Sequence, residues 1–184
     1  MKTYEYDYYS KLANWSFEDI NYTSEIFTNW IYEEEINKHA NRNSRILDLG
    51  TAAGEKVIKK FPNCSEILGT DFSSEMISSA NKNLLKSGRQ NISFRVMDNL
   101  KMDTPDNYFD LVTARAVAYS DKLLNRATPL VKKGWKIALM KQANEEEKEI
   151  LLNVAAKKNL ILEKEYNYTL FEWDIDRVIY ILRK

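Results

Sequence analysis

The sequence predicts an α/β fold, a doubly wound and mostly parallel seven-stranded sheet with helices on both faces and an antiparallel last strand. Between residues 45 and 159, short apolar runs alternate with amphipathic stretches, and such alternation is typical of a parallel sheet. The final two apolar runs, residues 160–169 and 175–183, have no helical stretch between them. They are therefore expected to pair antiparallel at one edge of the sheet.

Local signals place the individual elements along the chain. RILDL at residues 45–49 is almost continuously apolar, as expected for a strand buried on both faces. Ser73 is a predicted N-cap and Gly88 a predicted C-terminal stop for the helix between them, whereas Pro129 is expected to kink or interrupt its helix. The other strands are predicted at 66–71, 91–98, 108–114 and 134–141, and the other helices at 54–61, 120–132 and 144–159.

The composition indicates a soluble globular protein with one domain. Of its 184 residues, 44% are apolar and 29% are charged, which is the usual balance for a folded chain of this size. No apolar run approaches the length of a membrane span, and the start lacks the hydrophobic centre of a secretion signal. A cytoplasmic location without membrane contact is therefore expected. Residues 1–41 are predicted to form a helical and aromatic extension that could close as a lid over the domain at 42–184.

The sequence contains few metal-binding and nucleophilic side chains, which limits the kinds of metal site and catalysis that are possible. Cys64 is the only cysteine and His39 the only histidine, so cysteine clusters and two-histidine metal sites are excluded and no metal site is predicted. Acidic and basic residues balance at 27 each, but residues 1–41 hold eight acids against three bases. This distribution is not the concentrated basic face of a nucleic-acid-binding protein.

A turn of small residues follows the first predicted strand, in the stretch LDLGTAAGE at residues 47–55. Small side chains at a strand-to-helix turn let a ligand approach the backbone, and the amides of the next helix can receive negative charge. The dinucleotide pattern G-x-G-x-x-G does not fit, because counting from Gly50 gives Ala52 and Glu55 in place of the other two glycines.

This stretch resembles the first motif of class I S-adenosylmethionine-dependent methyltransferases, D-x-G-x-G-x-G. Asp48, Gly50 and Gly54 match the motif, and Ala52 replaces its middle glycine. Two further acids, Asp71 and Asp98, stand at the ends of the next two strands, in the order found in that family. The resemblance implies a Rossmann-like fold with S-adenosylmethionine as cofactor. Asp48 would lie near its ammonium group, Asp71 would accept both ribose hydroxyls, and Asp98 would face the adenine amino group.

A second resemblance covers the C-terminal half. The run VTARAVAYSDKLLNRATPLVKKGWKIALMK is similar to the bacterial small-subunit ribosomal RNA guanine-N7 methyltransferase family. This resemblance implies that Arg115 faces the target as the catalytic residue, while neighbouring residues contact the cofactor. Taken together, the two resemblances predict cofactor contacts from Asp48, Gly50, Thr51, Ala52, Gly54, Asp71, Phe72, Met76, Asp98, Asn99, Thr113 and Ala114.

The sequence leaves three functions open. A methyltransferase acting on a small molecule is favoured, because the acidic N-terminal segment would repel phosphate. The alternatives are methylation of guanine N7 in ribosomal RNA, and a non-catalytic protein that binds S-adenosylmethionine or another nucleotide. The expected partner is therefore a small-molecule acceptor or ribosomal RNA.

Overall fold

The computed structural model describes residues 36–98, 101–115, 118–170 and 175–184. In this part of the chain, seven strands form one sheet in the order β3-β2-β1-β4-β5-β7-β6. The strands are β1 (Arg45–Leu49), β2 (Glu66–Asp71), β3 (Ile92–Val96), β4 (Phe109–Arg115), β5 (Val131–Gln142), β6 (Ile161–Leu170) and β7 (Ile175–Arg183). The helices that follow β1, β2, β4 and β5 are α1 (Glu55–Lys60), α2 (Ser74–Ser87), α3 (Ser120–Leu130) and α4 (Glu145–Lys157).

The predicted fold class is confirmed by the strand directions. The first five strands in chain order pair in parallel, β7 pairs antiparallel with β5, and β6 pairs antiparallel with β7. Strand order reverses between β1 and β4, because β2 and β3 lie on one side of β1 and β5 lies on the other side of β4. In such sheets, ligands bind beyond the carboxyl ends of the strands at this reversal. The ends of β1 and β4 therefore mark the place to look for a site.

Two apolar clusters cover the two faces of the sheet. Leu47 and Leu49 of β1 belong to the cluster beneath α3 and α4, whereas Ile46 belongs to the cluster beneath α1 and α2. Side chains of successive strand residues point to opposite faces, so a strand covered on both sides needs an apolar residue at nearly every position. This requirement explains why RILDL reads as a continuous apolar run.

The region around Pro129 differs in detail from the prediction. Helix α3 ends at Leu130, one residue after Pro129, and β5 begins at once with Val131 rather than at residue 134. Val131 pairs with Phe109, but the next pairing joins Lys136 to Leu111, so the intervening β5 residues form a bulge. Gly134 lies within this bulge with φ of 83°. Residues 131–133, predicted to precede the strand, therefore belong to it, and the irregularity lies inside the strand.

The N-terminal prediction is largely outside the described residues. The aromatic segment, the start of the predicted helix and most of the predicted lid at residues 1–41 lie outside the described residues. Residues 36–39 are helical, and Ile36 is 2% exposed in the cluster shared with α1 and α2. Among the described residues, no helix has both the length and the apolar character needed to cross a membrane.

Candidate functional site

The turn between β1 and α1 alternates between left-handed and ordinary backbone. Gly50, Ala52 and Gly54 have φ of 74°, 51° and 78°. The amides of Gly50 and Thr51 both donate to the carbonyl of Thr70 at 2.9 Å, which ties the turn to the end of β2. The left-handed backbone explains why the motif has glycine at alternate positions. Ala52 occupies the same kind of conformation, which costs an L-residue about 1–2 kcal/mol.

Replacing Ala52 with glycine is expected to leave the free energy of unfolding unchanged or raise it by up to about 1 kcal/mol. Relief of the left-handed strain favours the variant, and the greater freedom of glycine in the unfolded chain opposes it. Ala156, which is exposed on α4, is the matched control, because Ala156→Gly should lose about 1 kcal/mol. Urea denaturation of both variants measures the difference. An equal loss of unfolding free energy in the two variants would contradict the strain at Ala52.

Two glycines are required by the packing of the protein itself. A Cβ at Gly54 would lie 2.6 Å from Cζ of Phe94, and a Cβ at Gly69 would lie 2.6 Å from Cδ1 of the same ring. Heavy atoms cannot approach so closely, so the ring of Phe94 in β3 can pack here only because neither position carries a Cβ. The expectation was that small residues leave the backbone open to a ligand. At Gly54, the structure shows a further reason, which is internal packing.

Asp48 lies at the switch point of the sheet. It is 7% exposed, and its Oδ1 accepts a hydrogen bond of 2.6 Å from the hydroxyl of Thr113. Thr113 is the register partner of Asp48 on β4 and is fully buried. The Thr113 side chain therefore orients Asp48, and any influence of this side chain on a ligand would pass through that carboxylate.

Asp71 joins the end of β2 to both neighbouring segments. Its Oδ2 accepts from the amide of Ala52 at 3.0 Å, and its Oδ1 accepts from the amide of Ser73 at 3.0 Å. The residue is 7% exposed. Burial raises the pKa of the Asp71 carboxyl above its ordinary value, and hydrogen bonds from the amides of Ser73, Ala52 and Phe72 oppose that rise. The carboxylate is thus held in place by the backbone on two sides.

Asp98 lies on the same edge of the sheet as Asp71. Asp71 is in register with Val96, and the amide of Met97 donates to the carbonyl of Asp71 at 2.8 Å. Asp98 is exposed and comes one residue later, so its backbone leaves the sheet at the same carboxyl edge. Asn99, the other residue predicted here, lies outside the described residues.

The remaining predicted cofactor residues differ in exposure. Met76, at 3% exposed, packs with Ala53 and Ala52 of the turn, whereas Phe72 is half-buried beside the N-cap of α2. Ala114 is 1% exposed within β4. The structure therefore brings Met76 to the turn, whereas Ala114 lies buried within the sheet.

Arg115, the predicted catalytic residue, ends β4 and is half-buried. It is in register with Met140 of β5. The sequence also allows a surface salt bridge from Arg115 to Asp121 or Glu145, and no such ion pair forms among the described residues. Its position at the carboxyl end of a central strand is consistent with the prediction, which stays a prediction.

Sequence reasoning missed a buried ion pair beyond the end of β4. Lys141, which is 7% exposed, pairs with Oε1 of Glu147 at 2.9 Å and also donates to the carbonyl of Ala118. The same Glu147 oxygen accepts from the amide and the hydroxyl of Ser120, each at 2.8 Å, and so caps α3 from a neighbouring helix. The ion pair and these hydrogen bonds therefore link the segment that follows β4 to the end of β5 and the start of α4.

The model of the methyltransferase domain family matches residues 40–175 of the chain. The uncharacterized methyltransferase YcgJ of Bacillus subtilis strain 168 is 31% identical over 75 residues, which cover 41% of this chain and 30% of that relative. The matched segment thus spans less than a third of the length of that curated relative.

Solved structures share the fold over most of their length. The crystal structure of Bacillus subtilis YcgJ superposes with a TM-score of 0.71 at 13% identity, covering 86% of this chain and 98% of that one. The N-methyltransferase NodS from Bradyrhizobium japonicum WM9, in complex with S-adenosyl-L-homocysteine, superposes with a TM-score of 0.78 at 15% identity, covering 97% of both chains.

These matches agree with the wider of the two predictions drawn from sequence motifs. They support methyltransferase activity and give no support to the narrower resemblance to ribosomal RNA guanine-N7 methyltransferases. Because the family model covers most of the sequence, including every strand from β1 to β6, this chain belongs to the methyltransferase domain family.

Proposed function

We propose that this methyltransferase binds S-adenosylmethionine at the carboxyl ends of β1, β2 and β3 and transfers its methyl group to a small molecule. In this proposal, Asp48 faces the ammonium group, Asp71 holds the ribose, and Asp98 faces the adenine. The cofactor supplies an already activated methyl group, so the protein mainly needs to align the acceptor with it.

The geometry of Asp71 is the observation that carries the proposal. A carboxylate offers about two acceptor positions on each oxygen. The amide of Ala52 donates to one oxygen of Asp71, the amide of Ser73 donates to the other, and the amide of Phe72 also donates to the carboxylate. About one acceptor position therefore remains, and a ribose hydroxyl is a suitable donor for it. The three amides also fix the direction in which the carboxylate presents this position.

The turn itself fits a polar ligand. Within the described residues, the hydroxyl of Thr51 is a buried polar atom that has no hydrogen-bond partner. Such atoms are rare in folded proteins and are often satisfied by a bound ligand or a water molecule. Thr51 stands between Gly50 and Ala52, whose left-handed backbone shapes the turn. This unsatisfied hydroxyl lies within the segment proposed to run beneath the amino-acid portion of the cofactor.

Charge near the ends of β4 and β5 favours a small acceptor over RNA. A groove of about 590 Å³ lies between the starts of α3 and α4. Its lining includes Asp121 and Glu146 against the single base Lys122, the ring of Tyr119, and Glu147, whose charge is balanced by the buried Lys141. This excess of acids repels phosphate groups and suits a neutral or cationic molecule. We place the acceptor on this side of the site.

Two measurements on the purified protein test the proposal. Isothermal titration with S-adenosylmethionine and S-adenosylhomocysteine should show one site for each, and incubation with methyl-labelled donor should label small molecules in a cell extract. Label in small-subunit ribosomal RNA would instead favour the RNA acceptor. Binding without transfer to either material would favour the non-catalytic alternative, and absence of binding would overturn the proposal.

A further inference from the structure

A polar residue occupies an apolar position on helix α2. The buried residues of this helix are Met76, Ile77, Ala80 and Asn83, which recur at the spacing of one helix face. Asn83 is 7% exposed. A buried amide is unfavourable unless it is hydrogen-bonded, and asparagine is also a poorer helix former than the apolar residues that suit this face. The position therefore needs a reason beyond packing.

The Asn83 side chain reaches the turn that follows β1. Its Nδ2 donates to the carbonyl of Ala53 at 3.0 Å, a bond between residues 30 positions apart. Ala53 stands between Ala52 and Gly54, the two left-handed residues at the end of the turn. The neighbouring amide of Ala52 donates to Asp71. The end of the turn is thus held from two directions, by the carboxylate of Asp71 at the end of β2 and by the side-chain amide of Asn83 on α2.

We propose that Asn83 is a positioning residue for the cofactor turn. By holding the carbonyl of Ala53, it fixes the peptide between two left-handed residues and so keeps the Ala52 amide aimed at Asp71. Its effect on the cofactor rests on the function proposed above, whereas its effect on the turn does not. The residue touches neither donor nor acceptor, and it acts through the backbone.

The test replaces Asn83 with leucine, which is similar in volume and apolar. The affinity for S-adenosylhomocysteine is expected to fall about tenfold, while the midpoint of urea unfolding changes no more than in Ile77→Val, the control on the same helix face. Ile77→Val is expected to bind S-adenosylhomocysteine as the native protein does. If the leucine variant does not fold, Asn83→Ala removes the amide without adding bulk.

Amide hydrogen exchange in the ligand-free protein supplies a second readout. The amides of Gly50, Thr51, Ala52 and Gly54 are all hydrogen-bonded, so they should be protected from exchange. In Asn83→Leu, exchange at Ala52 and Gly54 is expected to quicken about tenfold, with no such change in Ile77→Val. This result supports the proposal even if the native protein fails to bind S-adenosylhomocysteine, a failure that would count against the proposed function alone.

Two outcomes would overturn the role of Asn83. If the turn of Asn83→Leu exchanges at the rate of the native protein, the Asn83 side chain does not hold the turn. Exchange that quickens throughout the chain, to the same extent in Asn83→Leu and Ile77→Val, would show that Asn83 is an ordinary packing residue.

Discussion

Asp71→Ala is expected to weaken the binding of S-adenosylhomocysteine by about 1–3 kcal/mol, or roughly five- to 150-fold. The variant loses the carboxylate that is proposed to accept from the ribose. It also leaves the amides of Ala52 and Ser73 without their carboxylate partner, so the turn loses one of its ties to the end of β2. Isothermal titration measures the change.

Two further variants make this result specific. Asp71→Asn keeps one side-chain oxygen and the shape of the residue, and it should bind with intermediate affinity. Asp103→Ala removes an exposed carboxylate elsewhere and should bind as the native protein does. Native affinity in Asp71→Ala would remove Asp71 from the cofactor site and with it the main support for the proposed function.

Arg89→Met is expected to lower the free energy of unfolding by about 2–4 kcal/mol. The guanidinium donates to the carbonyls of Val57, Ile58 and Phe61 at 3.3, 2.8 and 3.0 Å, and to that of Pro62 at 3.1 Å. These groups lie at the end of α1, where carbonyls have no partner within the helix. Helix α1 has only six residues, too few to be stable by itself, so it depends on such contacts.

Urea denaturation of Arg89→Met, beside Arg95→Met, measures this effect. Arg95 is exposed on β3, and its loss should change the unfolding free energy by less than about 0.5 kcal/mol. Because the end of α1 lies away from the turn, folded Arg89→Met should retain its affinity for S-adenosylhomocysteine. Equal stability of the two variants would show that water replaces Arg89 as the partner of the α1 carbonyls.

Local sequence predicted most of the elements, since their causes lie within a few residues. Ser73 caps α2 by accepting from the amide of Met76 at 3.1 Å, and Gly88 ends that helix with φ of 69°. The strand at Glu66–Asp71 has the predicted bounds. By contrast, the bulge around Gly134 arises from how β5 meets β4, which no local pattern of the chain reveals.

The candidate site was only partly readable from the sequence. Asp48 and Asp71 were identified by their positions near the ends of strands, and the structure places both at the carboxyl edge of the sheet. The partners that hold them, such as Thr113 for Asp48, come from distant parts of the chain. Only one feature of the sequence pointed to Asn83, namely its polar side chain at an apolar position of the helix. Lys141 and Glu147 carried none, because a charged residue in a strand or helix is usually solvated.

The sequence by itself determined the alternation of strands and helices, the glycine turn and the acids that follow the strands. These features depend on backbone conformation and on apolar periodicity, which short segments encode. Only the tertiary structure decided that Phe94 lies against Gly54 and Gly69, that Asn83 holds Ala53, and that Glu147 caps α3. Each of these contacts joins residues more than twenty positions apart, so it exists only after the sheet has brought the segments together.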